Sequence, residues 1–475
     1  MYLEGYMIIN RDLEIKIDKF IEQHKSEIVN NICELVEIKS VAMDNTSTLP
    51  YGDGCRKVLD KALEISERMG FETDNCDYYC GSASLNHNDS SKHIAFWGHL
   101  DVVEEGGGWD YPPYSPTLHE GYLVGRGVSD NKGPSICALY TLLFFKEHEY
   151  NLNYNYKVIF GTNEEAGMDD VEYFLQHRPI PDFSIIADSV FPICYAEKGG
   201  FHAEIEIPLL CDDIISMSGG TAINAVANSA EVLLKKTPSM KFPTASERIT
   251  LEDKDDYIII SATGIPAHAA SPEGSINAIN LLATYLADVM QSGSVNNVLN
   301  FISNISGTYD GSEFGIKFSD DISGELTCVI GMLRYKDGKM NLSIDIRYPI
   351  KTDVETMISK IETYCTEAGA KLINMHDSKS VYVDPKDELV VLLNDFYNEF
   401  MGSDIPPYYE GGGSYARKVP NSLAYGPILH KRKPKPISLA KGGAHKANES
   451  LCIDELLIAL KIYILTVLKL DNMEF

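Results

Sequence analysis

Apolar residues recur at three- and four-residue spacing from Leu13 to Ile38 and again from Arg56 to Met69, which predicts two amphipathic helices. Short apolar runs then alternate with helical stretches. His93-Ile94-Ala95-Phe96-Trp97, Lys157-Val158-Ile159-Phe160 and Ser184-Ile185-Ile186-Ala187 read as strands, and Pro134 to Glu147 and Val171 to His177 as helices. Strands apolar at nearly every position suit burial on both faces. The alternation therefore predicts an α/β fold with a mostly parallel sheet sandwiched by helices. In such sheets ligands gather at the carboxyl ends of the strands.

Near Lys198-Gly199-Gly200 the pattern changes. Phe201 to Ile207 alternates apolar and polar as a half-buried antiparallel strand does, and Tyr257 to Ile260 and Leu342 to Tyr348 follow in the same manner. Helical periodicity over about Ser275–Gln291 and Asp353–Glu367 completes an inserted α+β domain. After Pro385 the chain returns to a helix over Glu388–Met401, a glycine-rich loop and an apolar last helix. The expected organisation is a catalytic domain over 1–197 and 385–475, with an inserted lid over 198–384.

The formal charge of −28 disfavours nucleic acid and anionic membranes as partners. The basic run from His430 to Lys435 reads as a solvated local exception. No apolar run is long enough to span a bilayer, and the Met1–Met7 segment is open to reading as an upstream extension. Ten scattered cysteines without a Cys-x-x-Cys pair fit reduced thiols, so a cytoplasmic location is expected.

Acids and histidines follow the strands. The sequence reads GHLD at 98–101, GVSDNKG at 127–133, GTNEEAG at 161–167, Asp188 and GGAHKANE at 442–449. His99 and Asp101, two apart, project to the same face of a strand, and Asp101 is placed to orient a metal-bound His99 imidazole. Asp130, in its glycine-rich setting, has two oxygens with which to bridge two cations. Of the adjacent Glu164 and Glu165, one can ligate a metal while the other serves as general base, and base catalysis contributes roughly 10²–10⁴ in rate. Asp188 and His445 supply a further carboxylate and imidazole. This is the inventory of a two-metal hydrolase, with two divalent ions per chain. Zn²⁺ suits the mixed nitrogen and oxygen donors best, and Mn²⁺ or Co²⁺ also fits.

GHLDVV, GRGVSDNKGP, GTNEEAG, the Asp188 strand, AHAASPEGSINA and GGAHKANE together resemble the motifs of the co-catalytic metallopeptidases. That family contains aminoacylases, glutamate carboxypeptidases, carnosinases and bacterial dipeptidases. GGTAINAV around Asn224, IDIRYP around Arg347 and GGGSYAR at 411–417 are most similar to its PepV-type dipeptidases. The resemblance implies that His99 and Asp188 hold one ion, Glu165 and His445 the other, and that Asp130 bridges. It further implies that Asp101 orients His99 and that Glu164 is the base. His268, Asn224 and Arg347 would reach the substrate from the lid, beside the backbone of Gly413 and Ser414. His268 would polarise the scissile carbonyl, and Arg347 would take the substrate's terminal carboxylate.

The implied activity is hydrolysis of dipeptides or short peptides with a free carboxyl end, by a water that Glu164 deprotonates between the two ions. An N-acyl-amino-acid deacylase is the alternative with the same chemistry. A lid that serves its own chain is compatible with a monomer and does not forbid a dimer. Asn131 stands where many relatives carry a second Asp, and Ala225 and Ala227 replace larger residues. The resemblance also implies a cis peptide between Asp130 and Asn131.

Overall fold

Three parallel strands, Asn155–Gly161, His93–His99 and Phe183–Ile186, lie side by side with His99 level with Gly161 and Trp97 level with Ile186. They belong to a computed structural model that describes residues 11–43, 49–86, 92–237, 240–290, 293–430, 434–440 and 442–475. Met1–Met7 and the middle of the basic run, Lys431–Lys433, fall outside the described residues.

Contacts divide the chain into two compact units. One comprises Met1–Tyr195, Val383–Tyr408 and Ser414–Phe475, and the other Ala196–Tyr382 with Tyr409–Gly413. The 409–413 segment of the glycine-rich loop therefore goes with the inserted portion.

In the first unit the strand order is Glu72–Cys76, Cys80–Leu85, Asn155–Gly161, His93–His99, Phe183–Ile186 and Ser422–Ala424, with Cys194–Glu197 leading out of it. The four strands from Asn155–Gly161 to Ser422–Ala424 are mutually parallel, and the Glu72–Leu85 hairpin adds an antiparallel edge. Alternate residues of the central strand explain its unbroken apolar run. Ile94 and Phe96 pack into a core shared with helices Arg11–Val36, Lys132–Glu147 and Ile453–Leu470. Ala95 and Trp97 point the other way, toward Val171 and Phe174 of helix Asp169–His177 and toward Tyr415. Both faces of the sheet are thus covered, as the periodicity predicts. No described helix is long and apolar enough to cross a membrane. Where the chain returns to the first unit, the N–H of Val383 donates to the carbonyl of Tyr195 at 2.9 Å.

The second unit holds an eight-stranded antiparallel sheet. Its order is Ile249–Asp253, Tyr257–Thr263, Ser229–Lys235, Ile214–Gly219, Thr327–Lys336, Lys339–Tyr348, Gly199–Pro208 and Lys371–Ser378. Strand Gly199–Pro208 buries Phe201, Ala203, Ile205 and Ile207 on one face, so its alternation is that of a one-sided sheet. Helix Ala278–Val289 starts at Asn277, whose side chain accepts the Ile279 N–H at 2.9 Å. Helix Val354–Glu367 starts at Asp353, which accepts the Thr356 N–H at 3.3 Å. A further helix, Gly293–Gly307, was not foreseen, because its asparagines and serines blur the apolar stripe.

Candidate metal centre

The first unit brings His99, Asp101, Asp130, Glu164, Glu165, Asp188 and His445 into one cluster. Parallel register explains half of this. The strands ending at His99, Gly161 and Ile186 finish on the same edge, and the turns that follow carry Asp101, Glu164 with Glu165, and Asp188. Asp130 comes from the loop ahead of helix Lys132–Glu147. His445 comes from the loop ahead of strand Ser450–Cys452.

The donor atoms fall into two groups, His99 with Asp130 and Asp188, and Asp130 with Glu165 and His445. Within each group the donor atoms lie within 4.8 Å of one another. Asp130 belongs to both. Its Oδ1 lies 2.9 Å from His99 Nε2, and its Oδ2 lies 3.1 Å from His445 Nε2. Asp188 Oδ2 is 3.6 Å from His99 Nε2, and Glu165 Oε1 is 3.0 Å from His445 Nε2. The Asp130–Asn131 peptide is cis. Asp130 caps no helix. Asn131 takes the N-cap position of the following helix, without a side-chain capping bond.

Asp101 faces His99 with two of its groups. His99 Nδ1 meets the backbone carbonyl of Asp101 at 3.0 Å, and the carboxylate is farther, at 3.5 Å. That buried carboxylate also accepts the backbone N–H groups of Glu164 at 3.1 Å and Glu165 at 3.0 Å. Two N–H groups exposed by the tight Glu164–Ala166 turn need acceptors, and a backbone carbonyl suffices to fix the His99 tautomer.

Burial and like charge push three acids up. Burial, and then Asp130, raise Glu165 to about 7 and Asp188 to about 6. Glu164 is raised well above its ordinary value, first by burial. His99 opposes this, and Asp188, Glu165 and Asp130 add to it. Burial works against a charged His445, yet its contacts with Asp130 and Glu165 carry it up to about 11. Burial also opposes ionised Asp130, but His445 and His99 hold it well below the carboxylate range. Four carboxylates around two imidazoles form an anionic pocket that a cation would neutralise. Each group offers one nitrogen and two carboxylates, a borderline donor set that fits divalent Zn²⁺, Mn²⁺ or Co²⁺.

The bonds that support these groups were not legible in the sequence. Asn131 Nδ2 donates to Asp188 Oδ1 at 2.8 Å and to the Ala187 carbonyl at 2.7 Å, while its Oδ1 accepts the His99 N–H at 3.3 Å. The Asn131 amide thus donates to a candidate ligand carboxylate. Gly98 leaves the space it needs, since a Cβ there would lie 2.7 Å from Asn131 Oδ1. Asp170 accepts the N–H groups of Thr162 at 2.8 Å and Asn163 at 3.0 Å, and the hydroxyl of Tyr415. Glu449 is fully buried beneath the Asp130 loop. One signal was available for Glu449, an acid one residue ahead of the apolar run Leu451-Cys452-Ile453.

Asn224, His268, Arg347 and Gly413 belong to the second unit, and Ser414 to the first. Ala225 and His268 form an isolated antiparallel bridge, and the Ala269 N–H donates to the Asn224 carbonyl at 2.9 Å. His268 Nδ1 accepts the Ala270 N–H at 3.1 Å, which leaves Nε2 to carry the proton of the neutral ring. Arg347 grips Asp345 through Nε at 2.7 Å and Nη2 at 2.9 Å, and His202 Nε2 approaches the same carboxylate at 2.9 Å. Gly413 ends the 409–413 segment. Ser414 begins the next, its Oγ accepting the Ala416 N–H at 3.2 Å.

Comparison with known proteins supplies a context for this geometry. Residues 95–469 match the profile of Peptidase family M20/M25/M40. The chain is 30% identical over 458 residues to the Bacillus subtilis (strain 168) protein YtjP, spanning 92% of this chain and 96% of that one. It is 28% identical over 471 residues to the Beta-Ala-Xaa dipeptidase of Lactobacillus delbrueckii subsp. lactis, spanning 95% and 97%. Its fold is similar to that of human carnosine dipeptidase 1, with a TM-score of 0.60 at 15% identity, covering 96% of this chain and 99% of that one. The chain belongs to Peptidase family M20/M25/M40.

Proposed function

We propose that the chain is a metal-dependent dipeptidase, cleaving dipeptides or short peptides that carry a free C-terminal carboxylate. The observation that carries this reading is Asp130 shared between two three-residue donor groups, with Glu164 beside them. His99 and Asp188 would hold one divalent ion, Glu165 and His445 a second, and Asp130 both. Zn²⁺ is the first choice, with Mn²⁺ and Co²⁺ as alternatives. When bound, such ions polarise an amide carbonyl and acidify a water.

The residues of the chain supply the rest. Glu164 takes a proton from the attacking water and passes it to the departing amine. A carboxylate in this position can both accept a proton from the water and return it to the leaving group. Asp101 fixes the turn on which Glu164 stands. His268, with its proton on Nε2, donates to the carbonyl oxygen, and Asn224 stands on the segment bridged to it. Arg347 takes the substrate's carboxylate with the N–H groups that Asp345 leaves unused, together with the backbone at Gly413 and Ser414. In this reading residues 198–384 act as the lid. Ten free thiols support a cytoplasmic location.

The test is a dipeptide panel run with protein stripped of metal and then reloaded, beside matched dipeptide amides and N-acetyl amino acids. Metal-restored cleavage of free dipeptides alone supports the proposal. Cleavage of N-acetyl amino acids instead moves the chain to the deacylases.

A further inference from the structure

We infer that Glu449 is a positioning residue for the metal centre, a buried carboxylate that sets the loop carrying Asp130 and ties it to the loop carrying His445. The inference rests on the two-metal reading above. Glu449 is 0% exposed. It accepts the backbone N–H groups of Gly127 at 2.9 Å, Ser129 at 2.9 Å and Asp130 at 3.1 Å. It also accepts the Ser129 hydroxyl at 3.0 Å and Arg126 Nη1 at 2.8 Å. Its backbone carbonyl accepts the Gly125 N–H at 3.0 Å, which extends the pairing of strands Tyr122–Val124 and Ser450–Cys452 up to the site.

The geometry gives this carboxylate a task that a plain ion pair with Arg126 would not need. Asp130 must present one oxygen to each donor group, so its backbone must be fixed in both position and rotation. Glu449 holds the N–H of Asp130 itself and those of two of the three residues before it. It also follows His445 by four residues, on the loop that brings the second imidazole. One side chain therefore couples the bridging carboxylate to a ligand of only one of the two groups. Partners of this kind typically contribute 10- to 100-fold in metal affinity or activity.

The experiment uses the full chain, stripped of metal and titrated with Co²⁺ while its visible absorption is followed. Wild type, Glu449→Gln and Glu449→Asp are compared, with melting of each metal-free protein as a check on folding. Glu449→Gln keeps the shape but replaces an acceptor oxygen with a donor. Glu449→Asp keeps the charge but shortens the reach. Both are expected to weaken Co²⁺ binding about 10- to 100-fold and to alter the absorption bands. Unchanged affinity and bands in Glu449→Gln overturn the inference. Loss in Glu449→Gln with full recovery in Glu449→Asp also overturns it, because charge alone would then suffice. If Glu449→Gln does not fold, Ser129→Ala removes one donor and leaves the Arg126 pair intact. It should weaken binding by roughly twofold to tenfold, and no change there overturns the inference. Wild type that takes up no Co²⁺ overturns the two-metal reading itself, a result distinct from a Glu449 variant that binds normally.

Discussion

Asp101 holds Glu164 by the backbone, accepting its N–H at 3.1 Å while the neighbouring N–H of Glu165 reaches the other carboxylate oxygen at 3.0 Å. One buried acid thereby sets both a candidate base and a candidate ligand. Asp101→Asn would turn one acceptor into a donor facing an N–H. It is expected to lower kcat about 10- to 100-fold. Steady-state kinetics with metal analysis checks this, and an unaltered kcat would show that the turn holds itself.

Glu164 is the candidate base and Glu165 a candidate ligand, so their variants should differ. Glu164→Gln should reduce kcat by roughly 10²–10⁴ while metal content stays at the wild-type level. Glu165→Gln should instead lower metal content. Elemental analysis of both variants separates the two outcomes, and retained turnover in Glu164→Gln would remove it as the base.

Metal uptake should release protons, and more of them in mild acid. In the metal-free protein Glu165 ionises at about 7 and Asp188 at about 6, so near pH 6 a cation must displace protons from both groups. Near pH 8 those carboxyls are already ionised, while His445, pushed up to about 11, still gives up its proton. Affinity should therefore fall more steeply as pH drops below about 7. Calorimetry in buffers of different ionisation enthalpy counts the protons. A release that grows with pH would contradict this account.

Arg347 presents a planar fork that Asp345 holds by two of its nitrogens, Nε and Nη2. Lysine cannot occupy both places. Arg347→Lys is expected to raise KM for free dipeptides about 10- to 100-fold, with little effect on dipeptide amides. Equal loss on both substrates would mean that the residue supports the second unit's sheet instead of recognising a carboxylate.

Gly161 ends the strand beside His99, and a Cβ there would fall on the Tyr415 hydroxyl where it meets Asp170. Gly161→Ala should destabilise the metal-free protein by about 1–3 kcal/mol. Chemical unfolding of the two proteins measures the difference. A loss near zero would show that Tyr415 moves aside freely.

Much of this was legible in the residues. Two-sided burial of Ile94 to Trp97 and one-sided burial of Phe201 to Ile207 follow from continuous and alternating apolar patterns. The gathered acids follow from strands that end together. The Glu72–Leu85 hairpin was not legible, because Glu72-Thr73-Asp74-Asn75-Cys76 is polar and lies at a sheet edge. Glu449 and Asp170 were missed, and the bonds of Asn131 went unread, for another reason. Their work is to satisfy backbone N–H groups or carboxylates distant in sequence, and no local period reports such a bond. The bonds from Asp101 to the Glu164 and Glu165 N–H groups went unread on the same ground, since the demand came from a turn more than sixty residues away.

The hydrogen bond from Val383 to Tyr195 has a consequence for how such a chain can change. Entry to and exit from the insertion sit one hydrogen bond apart, so 187 intervening residues leave almost no gap in the first unit. A short turn would close that junction without moving either strand. The insertion is in effect a cassette, and a lineage that lengthened, shortened or exchanged it would inherit the first unit's cluster of acids and histidines unchanged.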